Sequence, residues 1–342
     1  MSESARPTAD LRFHGDQAVM PGMLDFAVNV RASAPPRWLQ DRLSRRIPDL
    51  SRYPTRDDDC RASEAVARRH GRAADEVLLL SGAAEGFALL PNLLPESVAL
   101  IAPSFTEPAA VLSAARIPYR HVVLPAPFRL ADAAVPDDAD LVVLGNPTNP
   151  TAVLHPREQI LGLRRKGRII VVDEAFADAV PGEPDSLAGE PFDDVIVLRS
   201  LTKTWALAGL RVGYALGAKH LLARLTTRRP HWPVGTLQME AVAQCCAPRA
   251  IAESEDAARR LAGIRVEMVA GLRSAGFAVV DGVAPFVLFA VSDAERMIRH
   301  LAARGIAIRR CDTFVGLDGD YLRAAVRPEW PTLLDALSDS AG

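Results

Sequence analysis

The sequence predicts an α/β fold: a mostly parallel central sheet with helices on both faces, joined to a smaller α+β unit. Three observations carry that prediction. Short, continuous apolar runs recur through the first two-thirds of the chain, helical patterns separate several of them, and the pattern changes after Trp232-Pro233. Continuously apolar strands mark a sheet buried on both faces, whereas one solvated face would give alternation. Strand–helix alternation marks parallel connectivity.

In chain order, a helix near Trp38–Ile47 precedes strands at Val77–Leu80, Val98–Ile101, Tyr119–Val123, Leu141–Leu144, Ile169–Val172, Val195–Leu198 and Val212–Leu216. Helical patterns at Glu85–Leu93, Glu107–Ala115 and Arg157–Lys166 lie between several of them. Past Trp232-Pro233 a long helix over about Arg249–Ala275 leads into short strands at Phe277–Val280 and Phe286–Val291. A helix near Ala294–Arg304, strands at Ile306–Arg309 and Tyr321–Val326, and a helix at Pro331–Leu337 complete the unit. The expected division is an N-terminal arm (1–24), a large domain (45–245), and a small domain built from 25–44 and 246–342. A chain of 342 residues can bury a core of that size.

Charge and composition narrow the function. Forty basic residues stand against 42 acidic ones, a net charge of −2, which gives no electrostatic footprint for nucleic acid. The arginine pairs Arg45-Arg46, Arg68-Arg69 and Arg228-Arg229 read as solvated helix faces. The four cysteines form no Cys-x-x-Cys and the histidines no ligand pair, so no metal site is expected, and a reducing compartment fits. Glu3, Arg6, Asp10 and Arg12 interrupt any apolar leader, and no apolar run reaches membrane-spanning length. The expectation is a cytoplasmic protein with no membrane partner.

In parallel sheets ligands bind beyond the carboxyl ends of strands, and each candidate residue follows a predicted strand. Lys203, in Ser200-Leu201-Thr202-Lys203, is placed for a Schiff base with a carbonyl cofactor and for moving protons. Ser200 and Arg211 suit the cofactor's phosphate. Asp173 can be a helix N-cap, or a carboxylate that keeps a pyridine nitrogen protonated. Asn146 opens the doubled Asn146-Pro147-Thr148-Asn149-Pro150-Thr151, which is turn chemistry or an amide aimed at a phenolic oxygen. Ser81-Gly82-Ala83-Ala84-Glu85 starts a helix whose backbone N–H groups can meet a phosphate. Phe105 is either core or a ring that stacks on a flat ligand.

Taken in order and spacing, these motifs resemble the class I/II aminotransferase family of fold-type I pyridoxal-phosphate enzymes, from about residue 25 to the C-terminus. The resemblance implies pyridoxal 5'-phosphate as cofactor, bound covalently to Lys203, with Asp173 on the ring nitrogen and Asn146 on the phenolic oxygen. It puts Ser200, Arg211 and the backbone of Ala83 and Ala84 on the phosphate, and Phe105 on the ring. Tyr53 resembles a tyrosine that reaches the phosphate of the neighbouring subunit, which implies a homodimer. Arg323 resembles the arginine that clamps a substrate carboxylate.

Two branches of the family are close. Phe13-His14-Gly15, Leu24-Asp25-Phe26-Ala27-Val28-Asn29, Asp173-Glu174-Ala175-Phe176 and Leu201–Arg211 resemble the L-threonine-O-3-phosphate decarboxylase branch, which puts Asn29 beside the substrate. Arg31-Ala32, Pro108, Ala152 and Gly235 depart from that branch, and the resemblance puts most of these positions near the substrate side. Arg31 is then an extra cation for a substrate phosphate or a surface residue. The expected function is a threonine-phosphate decarboxylase-like enzyme of cobalamin biosynthesis, acting on a small phosphorylated amino acid or amino alcohol. A histidinol-phosphate-type aminotransferase using 2-oxoglutarate is the alternative. A non-catalytic sensor of the same fold is the remote one, disfavoured by the presence of both Lys203 and Asp173.

Overall fold

The computed structural model describes residues 15–317 and 319–339. Phe13, His14 and most of the expected arm lie outside the described residues. A short strand β1 (Leu24–Asp25) is followed by helices α1 (Arg37–Arg46) and α2 (Arg56–His70). The central sheet is built from β2 (Val77–Leu80), β3 (Val98–Ala102), β4 (Tyr119–Val123), β5 (Leu141–Gly145), β6 (Ile169–Asp173), β7 (Val195–Ser200) and β8 (Gly213–Gly217). Helices α3 (Ala83–Leu89), α4 (Glu107–Ala114), α5 (Arg157–Leu161), α6 (Lys219–Leu225) and α7 (Thr236–Cys245) accompany it.

The sheet order is β2-β8-β7-β6-β5-β3-β4. Strands β4, β3, β5, β6 and β7 run parallel, and β8 lies antiparallel between β7 and β2. Alternation along β5 shows both faces buried: Val142 and Leu144 enter one core, Leu141 and Val143 the other. The parallel direction brings the carboxyl ends of β5, β6 and β7 together, and these ends carry the site.

The C-terminal unit opens with the long α8 (Pro248–Ser274), then β9 (Phe286–Ala290), α9 (Ala294–Ala303), β10 (Ile306–Ala307), β11 (Arg309–Arg310), β12 (Tyr321–Ala325) and α10 (Trp330–Ser338). Its core gathers Phe26, Phe289, Leu301, Leu322 and Leu337. β1 pairs parallel with β10, so the segment around residue 25 joins this unit. Helix α1 does not: it lies against α7 and puts Leu39 into the larger core. Residues 37–44 therefore pack on the large side, whereas the sequence reading put them with the small domain.

Several elements differ from expectation for local reasons. Helix α5 ends at Leu161 because Gly162 follows, a poor helix residue that forms its cap. Phe277–Val280 makes only the bridge Val279–Phe289. The expected strand Ile306–Arg309 splits, since Ile306-Ala307 pairs with β1 and Arg309-Arg310 with β12. Helix α2 was not foreseen from periodicity, because its buried apolar residues are only alanines and one valine. Its ends were nonetheless written in the chain. The Thr55 side chain accepts from the Asp58 N–H at 3.1 Å, acids fill the first turn, bases the last, and Gly71 is left-handed.

The arginine pairs are not solvated faces throughout. Arg46 bridges Asp49, Asp58 and Glu240; Arg69 bridges Asp178 and Glu183; Arg229 bridges Glu85. In each pair the second arginine turns inward to buried or half-buried carboxylates. A helix period places neighbouring residues on different faces, so one member of a charged pair is free to do so. Among the described residues no helix is long and apolar enough to cross a membrane.

Candidate active site

A cavity of about 460 Å³ opens at the carboxyl ends of β6 and β7, between the large sheet and the C-terminal unit. Lys203 lines it, three residues past β7, and its backbone carbonyl accepts the Arg31 N–H at 3.1 Å. Asp173, the last residue of β6, also lines it. Its Oδ1 accepts the Ala175 N–H at 3.1 Å. Burial pushes the Asp173 carboxyl up to about 7; the Ala175 N–H and Lys203 oppose this, and neighbouring Glu174 adds to it. A cation placed against Asp173 would draw it back to the charged form.

The cavity carries a set of anion donors. Ser200 Oγ lies 2.7 Å from Thr202 Oγ1, and both side chains line the space with Ala83, Ala84 and Arg211. Two glycines make the cradle possible. Gly82 has φ +83°, and a Cβ there would come 3.0 Å from Arg211 Nη2. A Cβ on Gly213 would come 2.6 Å from the Arg199 carbonyl and 2.9 Å from the Ala83 nitrogen, so only glycine lets β8 pass beneath the start of α3. Phe105 also lines the cavity, its ring 6.0 Å from that of Phe87.

Asn146 is a correction. It is buried behind the cavity, where its Nδ2 donates to the His155 carbonyl at 3.1 Å and its Oδ1 accepts the His155 N–H at 2.7 Å. Both ends of the amide are spent on backbone. Asn149, three residues on, lines the cavity instead, and its Oδ1 accepts from Arg323 Nη1 at 2.5 Å. The doubled Asn-Pro offered two asparagines, and position within the turn decides between them. Asn146→Ala should cost stability, about 1–3 kcal/mol for the stranded His155 backbone groups, and leave kcat nearly intact. Asn149→Ala should do the reverse, and thermal unfolding beside steady-state kinetics separates the two.

Arg323 is buried within the cavity wall. Its Nη2 donates to the Ala27 carbonyl at 2.6 Å, and its guanidinium lies 5.2 Å from the Phe286 ring centre. Burial lowers its pKa to about 9, with nearby Arg309 contributing. Arg309, opposite Arg323 in the β11–β12 ladder, lines the same cavity and was missed in the sequence. Its Nη2 donates to Thr313 Oγ1 at 2.9 Å. The signal was an arginine one step beyond Ile306-Ala307-Ile308, on the opposite face from the buried isoleucines. Thr202 was likewise passed over inside the lysine motif.

Asn29 lines the cavity with its Oδ1 buried and, among the described residues, without a hydrogen-bond partner. Arg31 does not reach that cavity. It lines an adjoining recess that shares Lys203 with the cavity, with its guanidinium 5.8 Å from the Trp205 ring centre, and burial lowers its pKa. Tyr53 is also away from this chain's own cavity. It is exposed and stacked on Trp232, ring centres 4.3 Å apart.

A set of anion donors, a half-buried carboxylate at Asp173, an aromatic ring and a lysine amine on one cavity fit a flat, phosphorylated pyridine carbonyl. Fold and site together define a pyridoxal-phosphate-dependent enzyme of fold type I. Residues 21–330 match the family model for aminotransferase class I and II, and the chain belongs to that family. A histidinol-phosphate aminotransferase of Mycobacterium tuberculosis is 65% identical over 335 residues, covering 98% of this chain and 92% of that protein. A threonine-phosphate decarboxylase of Salmonella typhimurium is 29% identical over 318 residues, covering 89% and 87%. The crystal structure of a histidinol-phosphate aminotransferase from Clostridium acetobutylicum superposes with TM-score 0.85 at 25% identity, over 93% of this chain and 99% of that one.

Proposed function

We propose that this enzyme is an aminotransferase that takes the amino group from a phosphorylated amino alcohol of the histidinol-phosphate kind and delivers it to 2-oxoglutarate, as a homodimer. The relative at 65% identity supports this reading over the decarboxylase expected from the N-terminal and lysine-segment motifs, whose named relative is at 29%. The observation that carries the site chemistry is Arg323. It is buried in the cavity, yet among the described residues its side-chain donors go only to neutral oxygens, and its Nε has no hydrogen-bond partner there. A guanidinium held that way is complementary to an incoming anion.

The roles follow from position. Bound pyridoxal phosphate supplies an electron sink for the carbanion formed at the substrate's Cα. Ser200, Thr202, Arg211 and the backbone of Ala83 and Ala84 hold its phosphate, and Phe105 covers its ring. Asp173 keeps the ring nitrogen protonated, and Asn149 replaces Asn146 as the amide on the phenolic oxygen. Lys203 holds the cofactor covalently and carries the proton to and from Cα. Arg323 and Arg309 clamp the substrate anion: the phosphate of the amino alcohol in one half of the cycle, a carboxylate of the keto acid in the other. Asn29, with an open acceptor on the cavity, takes a donor of the substrate. Tyr53, exposed on the outer surface, serves the phosphate of the neighbouring subunit.

Arg323→Met should raise KM for 2-oxoglutarate about 30- to 100-fold, the loss of two charge-assisted hydrogen bonds, with kcat falling less. Phe176 stands where most of the family carries a tyrosine, and this favours testing decarboxylation beside transamination. The test compares kcat/KM for histidinol phosphate with 2-oxoglutarate against carbon dioxide release from O-phosphothreonine alone. Preference for the first pair by two orders of magnitude or more supports the proposal, and the opposite preference overturns it.

A further inference from the structure

Strand β6 ends in Asp173 and is followed by Glu174; the adjacent β7 ends in Arg199-Ser200. Asp173 and Ser200 face the cavity, while Glu174 and Arg199 are each only 1% exposed and lie outside its lining. The two buried residues tie the strand ends together beyond the last ladder pair. The Glu174 N–H donates to the Leu198 carbonyl at 2.9 Å, and Arg199 Nη1 donates to Glu174 Oε2 at 3.0 Å. The remaining acceptor positions of Glu174 pin the loop that follows: Oε1 accepts the Leu187 N–H at 2.7 Å, and Oε2 the Ser186 hydroxyl at 2.6 Å.

Arg199 continues outward to Asp178 and to Glu183 Oε2, the latter at 2.6 Å. Arg69, from α2, closes the cluster on Asp178 and Glu183 at 3.0 Å each. Burial raises the Glu174 carboxyl, Glu183 adds to this, and Arg199, the Ser186 hydroxyl and the Leu187 N–H oppose it; with all three carboxylates ionised, the two guanidiniums leave one net negative charge behind Asp173. Among the described residues, the groups packed against the cluster are Tyr214 from β8, Cys246 at the end of α7, Arg72 just past α2, and from α2 His70, which burial holds neutral with a pKa of about 2.

A buried ion cluster is a poor way to gain stability, because apolar residues of similar volume often do as well or better. What such a cluster does supply is direction, since each hydrogen bond admits one arrangement of the groups it joins. We propose that Glu174 is a positioning residue of the reaction: through Arg199 it locks the Asp173 end of β6 to the Ser200 end of β7, and its charge supports protonation of the cofactor's ring nitrogen at Asp173. The distance between those strand ends sets the span between the ring-nitrogen partner and the phosphate partner of one rigid cofactor. An error of about 1 Å there is enough to cost on the order of 100-fold in rate.

The test is Glu174→Gln in the cofactor-loaded enzyme, which preserves shape and removes the charge. The expected result is a kcat about 10- to 100-fold lower, KM within about threefold, and a titration midpoint of the visible absorbance lower by at least about half a pH unit. The midpoint falls because a negative charge near a protonated chromophore has gone. Glu76→Gln, which breaks the Arg72–Glu76 pair just past the C-terminal end of α2 without touching Glu174 or Arg199, calibrates bare destabilisation. A Glu174→Gln enzyme that loses stability as Glu76→Gln does, but keeps wild-type kcat and midpoint, overturns the proposal. Should Glu174→Gln fail to fold, Ser186→Ala removes one hydrogen bond to Glu174: a lower kcat at constant KM with a moved midpoint supports the role, and wild-type values for both overturn it. The proposal rests on the cofactor-dependent reading of the site. A wild type that binds cofactor yet turns over none of the substrates named above defeats the substrate assignment alone, and the absorbance titration still decides on Glu174.

Discussion

Lys203→Ala should abolish covalent attachment of the cofactor and lower turnover by about 10⁴-fold or more. The side chain does two things that no neighbour can take over: it forms the bond to the cofactor and carries the proton at Cα. The other amines and guanidiniums on the cavity are arginines, which neither form that bond nor give up a proton near neutral pH. The fold should survive. Lys203 sits after β7 on a half-buried turn, and the Arg31–Lys203 contact that matters for packing is made by backbone. The variant should remain folded by circular dichroism, bind pyridoxal phosphate reversibly, and lose its visible band on dialysis. Retained yellow colour after dialysis and denaturation would place the attachment on another lysine.

Asp173→Asn should separate stability from function. In the cofactor-free protein burial raises the Asp173 carboxyl to about 7, against about 3.9 in an unfolded chain. Between those values the folded state holds more protons than the unfolded one, so stability falls as pH rises from about 4 to about 7 and levels off above. The asparagine variant lacks that slope. It should match the wild type below pH 4 and exceed it above pH 7 by on the order of 2–4 kcal/mol, read from urea unfolding of the two apoproteins. With cofactor present the order of usefulness reverses. The amide gives the ring nitrogen no charge to pair with, and kcat should drop about 10³-fold. Equal unfolding curves across the pH range would show that Asp173 is not strained by burial.

How much of this was legible in the chain depends on what carried the signal. The strands were readable because each is a continuous apolar run, and a sheet buried on both faces needs just that. Lys203, Asp173, Ser200, Arg211 and Phe105 were readable because parallel strands deliver the residues after their carboxyl ends to one place. Asn146 misled because both asparagines of the doubled Asn-Pro follow β5, and only the three-dimensional turn shows which amide is consumed by His155. Arg309 was hidden because β11 is two residues long and its partner β12 lies more than ten residues away. Arg31 reads from its position equally as a substrate cation or a surface residue, and in the structure it lines the neighbouring recess instead, its backbone N–H on the Lys203 carbonyl. Helix α2 shows the opposite failure: its caps and charge pattern were plain, but an alanine face has little apolar periodicity to read.

The most direct test of the account follows one nitrogen atom. Histidinol phosphate carrying an isotopically labelled amino nitrogen is incubated with the cofactor-loaded enzyme and 2-oxoglutarate. The expected result is labelled glutamate in one-to-one yield with the amino alcohol consumed, and no carbon dioxide. Unlabelled glutamate pools with untouched histidinol phosphate, alongside acceptor-independent carbon dioxide from O-phosphothreonine, would contradict it.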